Sequence, residues 1–600
     1  MPQTPADLDA FYAWAQEADR RGAIAVNTKT TGRRPYSAGF RLRTVQFGDP
    51  HTAWVIHWER GGEFQQFARA VLTYCRRFVI HHGMYDWQVL DRHADIRIEH
   101  LAPRTRDTLV MAKLIDPRRS KDDDGVGGKL KALSARWVDP TAPDTEAGLQ
   151  EEFRRLGFTP ETGWANIPLG NRLFNLCAGL DVVLASRLEP KLAAELNRLG
   201  VRQALGDYEH QLARMCAIMA RTGLILDVDY TRRLDAKLAD QVEEFTSQAA
   251  RYGVASVNSS AQIATALAAM GERLTERTQS GAFRLDKTVL LPLADLDDNW
   301  ERLNARTPNP LAYAVLRARR AGAWRTSFVS AFLDHVGADG RIHPVIKPLE
   351  AITGRMGLEK PPLHGVPAGD SEVRSCFLGE PGHVMVSTDL SAVDMRTLAA
   401  IADVSGMKAA IAAGRDLHDH TAALVFGPHF TPRQRTLAKK IGLGKIYGGG
   451  KETIARQSGA PVEDVARAIA AYNAEFPEIA WAARKWQAEA FANGMWLTTP
   501  IGRRIPLSRD RSYAATNYMT QSTAREVLGQ GLLNIEAAGL LQYARLPIHD
   551  EVLSSVPADQ AQEIAREIER CMSFEVYGVP MEAKSKVGGR SWGSLYDATT

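Results

Sequence analysis

Three acids and one run of bases are the residues whose types and spacing could do chemistry. HVMVSTDLSAVDMR (383–396) places Asp389 at the end of an apolar strand, and LPIHDEVLSSV (546–556) places Asp550 and Glu551 in a tight turn between two strands. Either acid alone reads as a solvated turn residue. Together, carboxylates at the tips of neighbouring strands can hold two Mg²⁺ ions roughly 3.5–4 Å apart, the arrangement of in-line phosphoryl transfer. Mg²⁺ keeps waters and substrate phosphates among its ligands, so two or three acids suffice.

Between the acids lies TPRQRTLAKKIGLGKIYGGG (431–450). Arg435, Lys439, Leu443 and Tyr447 recur every four residues and share one face of a helix. From Arg433 to Arg456 there are seven basic residues and one acid, Glu452. Arg and Lys one turn apart suit a triphosphate, and Tyr447 is placed to stack on a base. Gly442 and Gly444 each weaken the helix by about 1 kcal/mol. Their presence predicts that another surface, such as a nucleobase, comes close to the backbone.

The elements that must position these groups follow from patterning. Strands are expected at Ala23–Val26, Arg41–Phe47, Thr52–Trp58 and Phe78–Ile80, with a helix from Tyr85 through Leu90. Helical periodicity dominates to about residue 330, with long segments at 204–221 and 230–252. Beyond residue 340 a strand at His383–Thr388, helices at 392–402 and 433–447, and a hairpin of Leu546–Ile548 with Val552–Val556 are expected. This makes an α/β head, a helical middle and an α+β C-terminal half. Loops are expected at Lys121–Gly128, Thr307–Pro310 and Lys360–Asp370.

Length and composition bound the function. At about 100–200 residues per domain, 600 residues make three to five domains. With 45% hydrophobic and 24% charged residues, the chain is neither disordered nor fibrous. A formal charge of +4 requires any polyanion site to come from local clustering. Cys75, Cys177, Cys216, Cys376 and Cys571 are scattered without a CxxC pair, which excludes a zinc knuckle or disulfide framework and points to a reducing cytoplasm. There is no membrane-spanning apolar run and no signal peptide.

The C-terminal 400 residues resemble family A DNA polymerases, the DNA polymerase I type. DLSAVDMR (389–396), RTLAKKIGLGKIYG (435–448) and HDE (549–551) resemble the family's three motifs, in order. TGR (353–355), GRDLH (414–418), PIGRR (500–504) and NYMTQSTA (517–524) are similar to further family segments. The resemblance implies two Mg²⁺ ions bridged by Asp389 and Asp550, with Glu551 beside them. It implies triphosphate contacts from Arg435, Lys439 and His418, with Lys439 as proton donor to pyrophosphate. Tyr447 falls near the templating base, and Arg355, Asn517, Gln521 and His549 touch the primer–template. Three positions depart from the family pattern. Asp394 stands where Glu is usual at the sugar gate, Leu443 where Phe or Tyr is usual, and Tyr513 where Arg is frequent.

Residues 1–195 resemble the 3′–5′ exonuclease domain of the same family. That chemistry uses four acids and a Tyr. Asp86 and Asp181 are in place, but Asn27, Lys29 and Cys177 replace two acids and the Tyr. A folded head with little or no exonuclease activity is expected, with the Lys29 ammonium in the place of a cation.

The fold class implied is a ribonuclease-H-like exonuclease domain followed by a right-hand polymerase: head 1–195, helical thumb 196–340, palm 341–405, fingers 406–490 and palm again 491–600. The family's 5′-nuclease domain is expected to be absent, as in compact bacteriophage enzymes. Partners implied are primer–template DNA and dNTPs, for a monomer in the host cytoplasm. A single-subunit RNA polymerase, a non-catalytic primer–template binder and a nuclease fit less well. The head and Asp394 oppose the first, the retained acids and bases the second, and Asn27 with Lys29 the third.

Overall fold

The computed structural model describes residues 1–141, 145–278, 280–297, 300–367, 371–458 and 460–596. Helix Pro5–Arg21 opens the chain. It is capped by a reciprocal pair in which the Asp7 N–H donates to Thr4 Oγ1 and the Thr4 N–H to Asp7 Oδ2. Its buried face, Leu8, Phe11, Ala15 and Ala18, follows the helical repeat.

The head sheet comprises β1 (Ile24–Thr30), β2 (Leu42–Gly48), β3 (Ala53–His57), β4 (Phe78–Ile80) and β5 (Thr105–Asp107), in the order β3-β2-β1-β4-β5. β2 and β3 run antiparallel, whereas β4 and β5 join parallel. β1 does not end at Val26: Thr28 and Thr30 alternate inward while Asn27 and Lys29 share the opposite face. That polar continuation, pinned by pairing to β2, is why apolar content alone set the strand too short. The helix expected over Tyr85–Leu90 runs Gly83–Ala94. Helix Arg172–Arg198 crosses the sheet and carries Cys177 and Asp181 one turn apart.

Two long helices, Gln203–Thr222 and Val228–Ala250, begin the helical middle. Helix Pro310–Trp324 packs with Ser260–Ala269 and Lys287–Leu293 around a separate core that includes Leu267, Leu290 and Val315. Short strands follow: β6 (Leu224–Leu226), β7 (Arg341–Ile342), β8 (Val345–Lys347), β9 (Gly357–Glu359) and β10 (Phe377–Leu378). β10-β6-β7 form one sheet, so a strand from the helical middle pairs with strands beyond residue 340. β8 and β9 form a hairpin whose turn holds Arg355. The connection expected over Lys360–Asp370 contains a one-turn helix at Leu363–Gly365, and its residues 368–370 lie outside the described residues.

The central C-terminal sheet is antiparallel throughout. β11 (His383–Leu390) is followed by β12 (Trp496–Thr498), β13 (Arg504–Pro506), β14 (Ala544–Ile548), β15 (Glu551–Pro557), β16 (Phe574–Val576), β17 (Val579–Met581) and β18 (Ala583–Val587). The order β14-β15-β11-β18 sets β11 in the middle. β11 continues two residues past the expected Thr388, so Asp389 lies within the strand. Glu551 opens β15 instead of sitting in the turn, because it pairs with both Ile548 and Asp389. One hydrophobic cluster runs from Phe11 in the head to Leu595 near the C-terminal end.

Candidate active site and a second cleft in the head

The three acids meet on the central sheet. Asp389 pairs in register with Glu551 on one side and Lys584 on the other. Asp550 occupies the two-residue turn after β14, and its carbonyl accepts from the Leu390 N–H at 3.1 Å. His549 takes a left-handed φ of 57° to make that turn, a conformation uncommon outside glycine and frequent at functional sites. Loss of surrounding water, then the like charges of Asp550 and Glu551, raise the Asp389 carboxyl to about 7, against the pull of Lys439. Burial likewise raises Asp550 and Glu551.

These residues fit Mg²⁺. Three carboxylates are gathered at the expense of their own ionisation, and Glu551 Oε1 is buried without a hydrogen-bond partner. Among the described residues no three or more His, Cys, Asp or Glu form a protein-only metal cage. Mg²⁺ completed by substrate phosphates needs none.

The basic helix runs Pro432–Ile446, entered through a Thr431–Gln434 capping box, and Tyr447 is its C-cap. Lys439 is exposed and makes no hydrogen bond or ion pair among the described residues. Arg435 is held by Asp419 and, at 3.2 Å, by Asp416, which also caps helix Leu417–Phe426. Sequence reasoning missed both acids. Asp416 lies inside the GRDLH segment, where an N-cap Asp was the available signal. His418 is buried beside them; burial and the charges of Lys439 and Arg435 lower its pKa, and its Nδ1 lacks a partner.

The glycines of this helix answer to protein. A Cβ on Gly444 would lie 2.7 Å from Ile454, while one on Gly442 would sit 3.7 Å from Met395. The surface close to Gly444 is therefore the Ile454 side chain, not the expected nucleobase. Leu443 is partly buried against the main core, and the side chain of Arg433 lies outside the described residues.

Asp394 is the junction between sheet and helix. Its Oδ2 accepts from the Tyr447 hydroxyl at 2.6 Å and its Oδ1 from Arg355 at 3.2 Å. Burial and the Asp394 charge push Tyr447 up to about 12. Thr353 beside Arg355 reaches Gln521 at 3.5 Å. Gln521 and Asn517 lie one turn apart on helix Ala515–Ala537, and Asn517 Oδ1 is buried without a partner. His549 stands edge-on to His364, centroids 6.1 Å apart. The structure thus ties Asp394 to Tyr447 and Arg355, and sets Asp389 beside Glu551 and Asp550.

Behind it lies a hub of which only Arg503, within PIGRR, stood in a segment the sequence singled out. Glu209, fully buried, accepts from Arg525 at 2.6 and 2.5 Å and from Arg503. Arg525 also donates to the Pro348 carbonyl at 3.2 Å, and a Cβ on Gly354 would lie 3.1 Å from the Arg503 guanidinium. Both arms of the turn that presents Arg355 therefore rest on this hub.

In the head, a cavity of about 410 Å³ is lined by Asn27, Lys29, Asp86, Cys177 and Asp181 among others. Lys29 Nζ donates to Asp181 Oδ2 at 2.6 Å, and Lys131 Nζ lies 2.7 Å from Oδ1. Lys131 was missed because nothing in the sequence ties it to Asp181. The two lysines hold Asp181 below the usual carboxylate range against burial. Burial raises Asp86 to about 7, and it accepts from Thr28 N and Oγ1. Cys177 accepts from the Thr145 hydroxyl at 3.4 Å. With both Asp181 oxygens engaged by ammonium groups, these residues do not fit a two-metal nuclease centre.

Known proteins share this arrangement of sequence. Residues 228–594 match DNA polymerase family A, and residues 2–197 match 3′–5′ exonuclease. The DNA polymerase of Mycobacterium phage D29 is 36% identical over 602 residues, covering 99% of this chain and 96% of its own. That of Mycobacterium phage L5 is 34% identical over 601 residues, covering 99% and 97%. The solved POL domain of Pol1 from M. smegmatis, in complex with DNA primer–template and dNTP, covers 99% of both chains at 21% identity with a TM-score of 0.78. That likeness is one of fold.

Proposed function

The chain belongs to DNA polymerase family A, with an exonuclease-type domain ahead of the polymerase region, and from that premise we propose that it extends a primer 3′ end with dNTPs in DNA replication. It is a DNA-directed DNA polymerase. The observation that carries the fuller reading is Asp389 in register with Glu551, with Asp550 in the adjoining turn and Lys439 acting on Asp389 across the cleft. Two Mg²⁺ ions on Asp389 and Asp550, when bound, supply activation of the primer 3′-hydroxyl and charge neutralisation on the leaving pyrophosphate.

The remaining roles belong to side chains. The primer 3′-hydroxyl passes its proton to water as its oxygen bonds to the α-phosphorus and the bond to pyrophosphate breaks, and Lys439 protonates the departing oxygen. Arg435 and His418 grip the triphosphate, with Asp416 and Asp419 holding the guanidinium in place beforehand. Asp394 closes the sugar side, and Leu443 faces the sugar with its uncovered portion. Tyr447 abuts the templating base, while Arg355, Asn517, Gln521 and His549 hold the primer–template. We divide the chain into head 1–195, thumb 196–340, palm 341–405 and 491–600, and fingers 406–490, although β6 pairs with palm strands. Kinship with phage enzymes supports work in a host cytoplasm, and we read the chain as acting as a monomer.

Primer extension on a defined template tests the reading. Asp389→Ala or Asp550→Ala is expected to slow extension by at least about a thousandfold, with DNA affinity within about threefold of the parent. Rates within about tenfold of the parent would show that the wrong acids were chosen.

For the head, the reading is loss of proofreading. The parent is expected to leave a mismatched 3′ end intact in Mg²⁺. Asn27→Asp with Lys29→Glu restores two acids but leaves Lys131 on Asp181, so trimming is expected only when Lys131→Ala is added. Efficient trimming by the parent, or by the double variant alone, contradicts this.

A further inference from the structure

Beside the hub of Glu209, Arg503 and Arg525 lies a cavity of about 500 Å³. Helices Gln203–Thr222 and Ala515–Ala537, the turn before β13 and the β16–β17 hairpin all contribute to its lining. Its volume falls within the roughly 300–1,000 Å³ of small-molecule sites. Leu205, Ile501, Val527, Phe574 and Val576 give it an apolar wall. Helix Ala515–Ala537 presents Thr523, Glu526, Val527 and Gln530 to it, the spacing of one helical face.

Glu526 is the group that this wall does not explain. It is 8% exposed, and its Oε1 accepts from the Thr499 hydroxyl at 3.1 Å with Arg503 Nε at 3.6 Å. Among the described residues Oε2 accepts no hydrogen bond, and Glu526 lines the cavity. A buried carboxylate oxygen without a donor is costly. Burial raises the group to about 7, against the pull of Arg503 and Thr499. The groups around it are otherwise engaged. Arg503 and Arg525 hold Glu209 ionised against burial, and the Tyr208 hydroxyl donates to the Glu526 carbonyl at 3.1 Å. Arg202 donates to the Ile501 carbonyl at 2.7 Å. Glu575 and Tyr577 line the cavity from the hairpin, Tyr577 with a left-handed φ of 49°.

Two acids in the lining oppose an anion. A donor that carries positive charge makes the stronger bond to a carboxylate, and the rings of Phe574 and Tyr577 favour a cation beside them. We propose that this cavity binds a small primary amine on an apolar body, its ammonium on Glu526 Oε2, and that occupancy firms the support of Arg355. An ammonium there holds Glu526 ionised, and the ionised carboxylate pulls on Arg503. Arg503 also holds Glu209, and its guanidinium would lie 3.1 Å from a Cβ on Gly354, in the turn that presents Arg355.

The probe is benzylamine, charged from pH 6 to pH 8, titrated into the full chain by calorimetry with benzyl alcohol as its neutral counterpart. Only ionised Glu526 takes the ammonium, so affinity is expected to rise about tenfold from pH 6 to pH 8. At pH 8 the alcohol is expected to bind at least about tenfold more weakly, without that rise. Glu526→Gln keeps an acceptor for Thr499 and is expected to weaken benzylamine at least about tenfold and to abolish the pH dependence. Ala204→Trp fills the cavity and leaves Glu526 in place. It is expected to lose both ligands while extending a matched primer like the parent. At pH 6, saturating benzylamine is expected to lower the KM for primer–template at least about twofold in the parent and in neither variant. Affinity independent of pH, equal affinity for the alcohol, undiminished affinity in either variant, or an unchanged KM in the parent would overturn the proposal.

Discussion

At neutral pH about half of the Asp389 carboxyls carry a proton when no cation is near, since the group titrates at about 7. Its folded pKa lies above the usual carboxylate value, so the folded protein binds more protons than the unfolded chain between roughly pH 4 and 7. Stability from this group is therefore present at low pH and is lost as pH rises through 7. In EDTA, Asp389→Asn should raise the melting temperature at pH 8, by on the order of 1 °C, and leave it unchanged at pH 5. A cation that needs the carboxylate must displace that proton. Extension at limiting Mg²⁺ should accordingly climb by about fivefold from pH 6 to pH 7 and level off above pH 8, and saturating Mg²⁺ should flatten the rise. A rate independent of pH at limiting Mg²⁺ would remove Asp389 from the metal site.

The basic helix shows what can be read one element at a time. Its span depends on neighbours a few positions apart, so sequence alone located it to within a residue. The purpose of its glycines depends on what packs from elsewhere, and the expectation of a nucleobase failed there. Gly442 and Gly444 therefore make a paired test. Gly442→Ala meets only ordinary contact and should stabilise the helix by up to about 1 kcal/mol without changing the dNTP KM. Gly444→Ala drives into Ile454, part of the small core that includes Ile441 and Val465. It should cost about 1–3 kcal/mol and raise the dNTP KM, and adding Ile454→Val should recover most of both losses. Equal behaviour of the two single variants in melting and steady-state kinetics would refute the assignment.

Across the whole molecule, the interactions that sequence could not foretell join distant segments. Glu209 and Arg525 stand 316 residues apart, and no local periodicity relates them. The same holds for Tyr36 stacked 3.7 Å from His343, and for Glu380 bound by Arg341 and Arg545. The carboxylate hairpin was legible because its chemistry and its turn are contiguous, whereas the hub supporting Arg355 was not. Glu209→Gln leaves two buried guanidinium groups undercompensated, and about 3–5 kcal/mol of destabilisation is expected. The turn that carries Arg355 should loosen with it, so the KM for primer–template should rise more than kcat falls. A melting temperature and KM equal to the parent's would show that the arginines find other partners.

The hydrophobic cluster that runs unbroken from Phe11 to Leu595 bears on how such a gene can change over generations. Asn27, Lys29 and Cys177 line one cavity of the head, and a handful of codon changes suffices to exchange such residues. Leu212, Met215 and Cys216, on the first helix after the head, share the cluster with Phe78 and Leu90 of the head and with Leu528 and Leu532 beyond it. A deletion that removed the head would strip the cover from a surface the polymerase half keeps dry. Selection on replication alone is then enough to retain the head, whatever becomes of its own reaction.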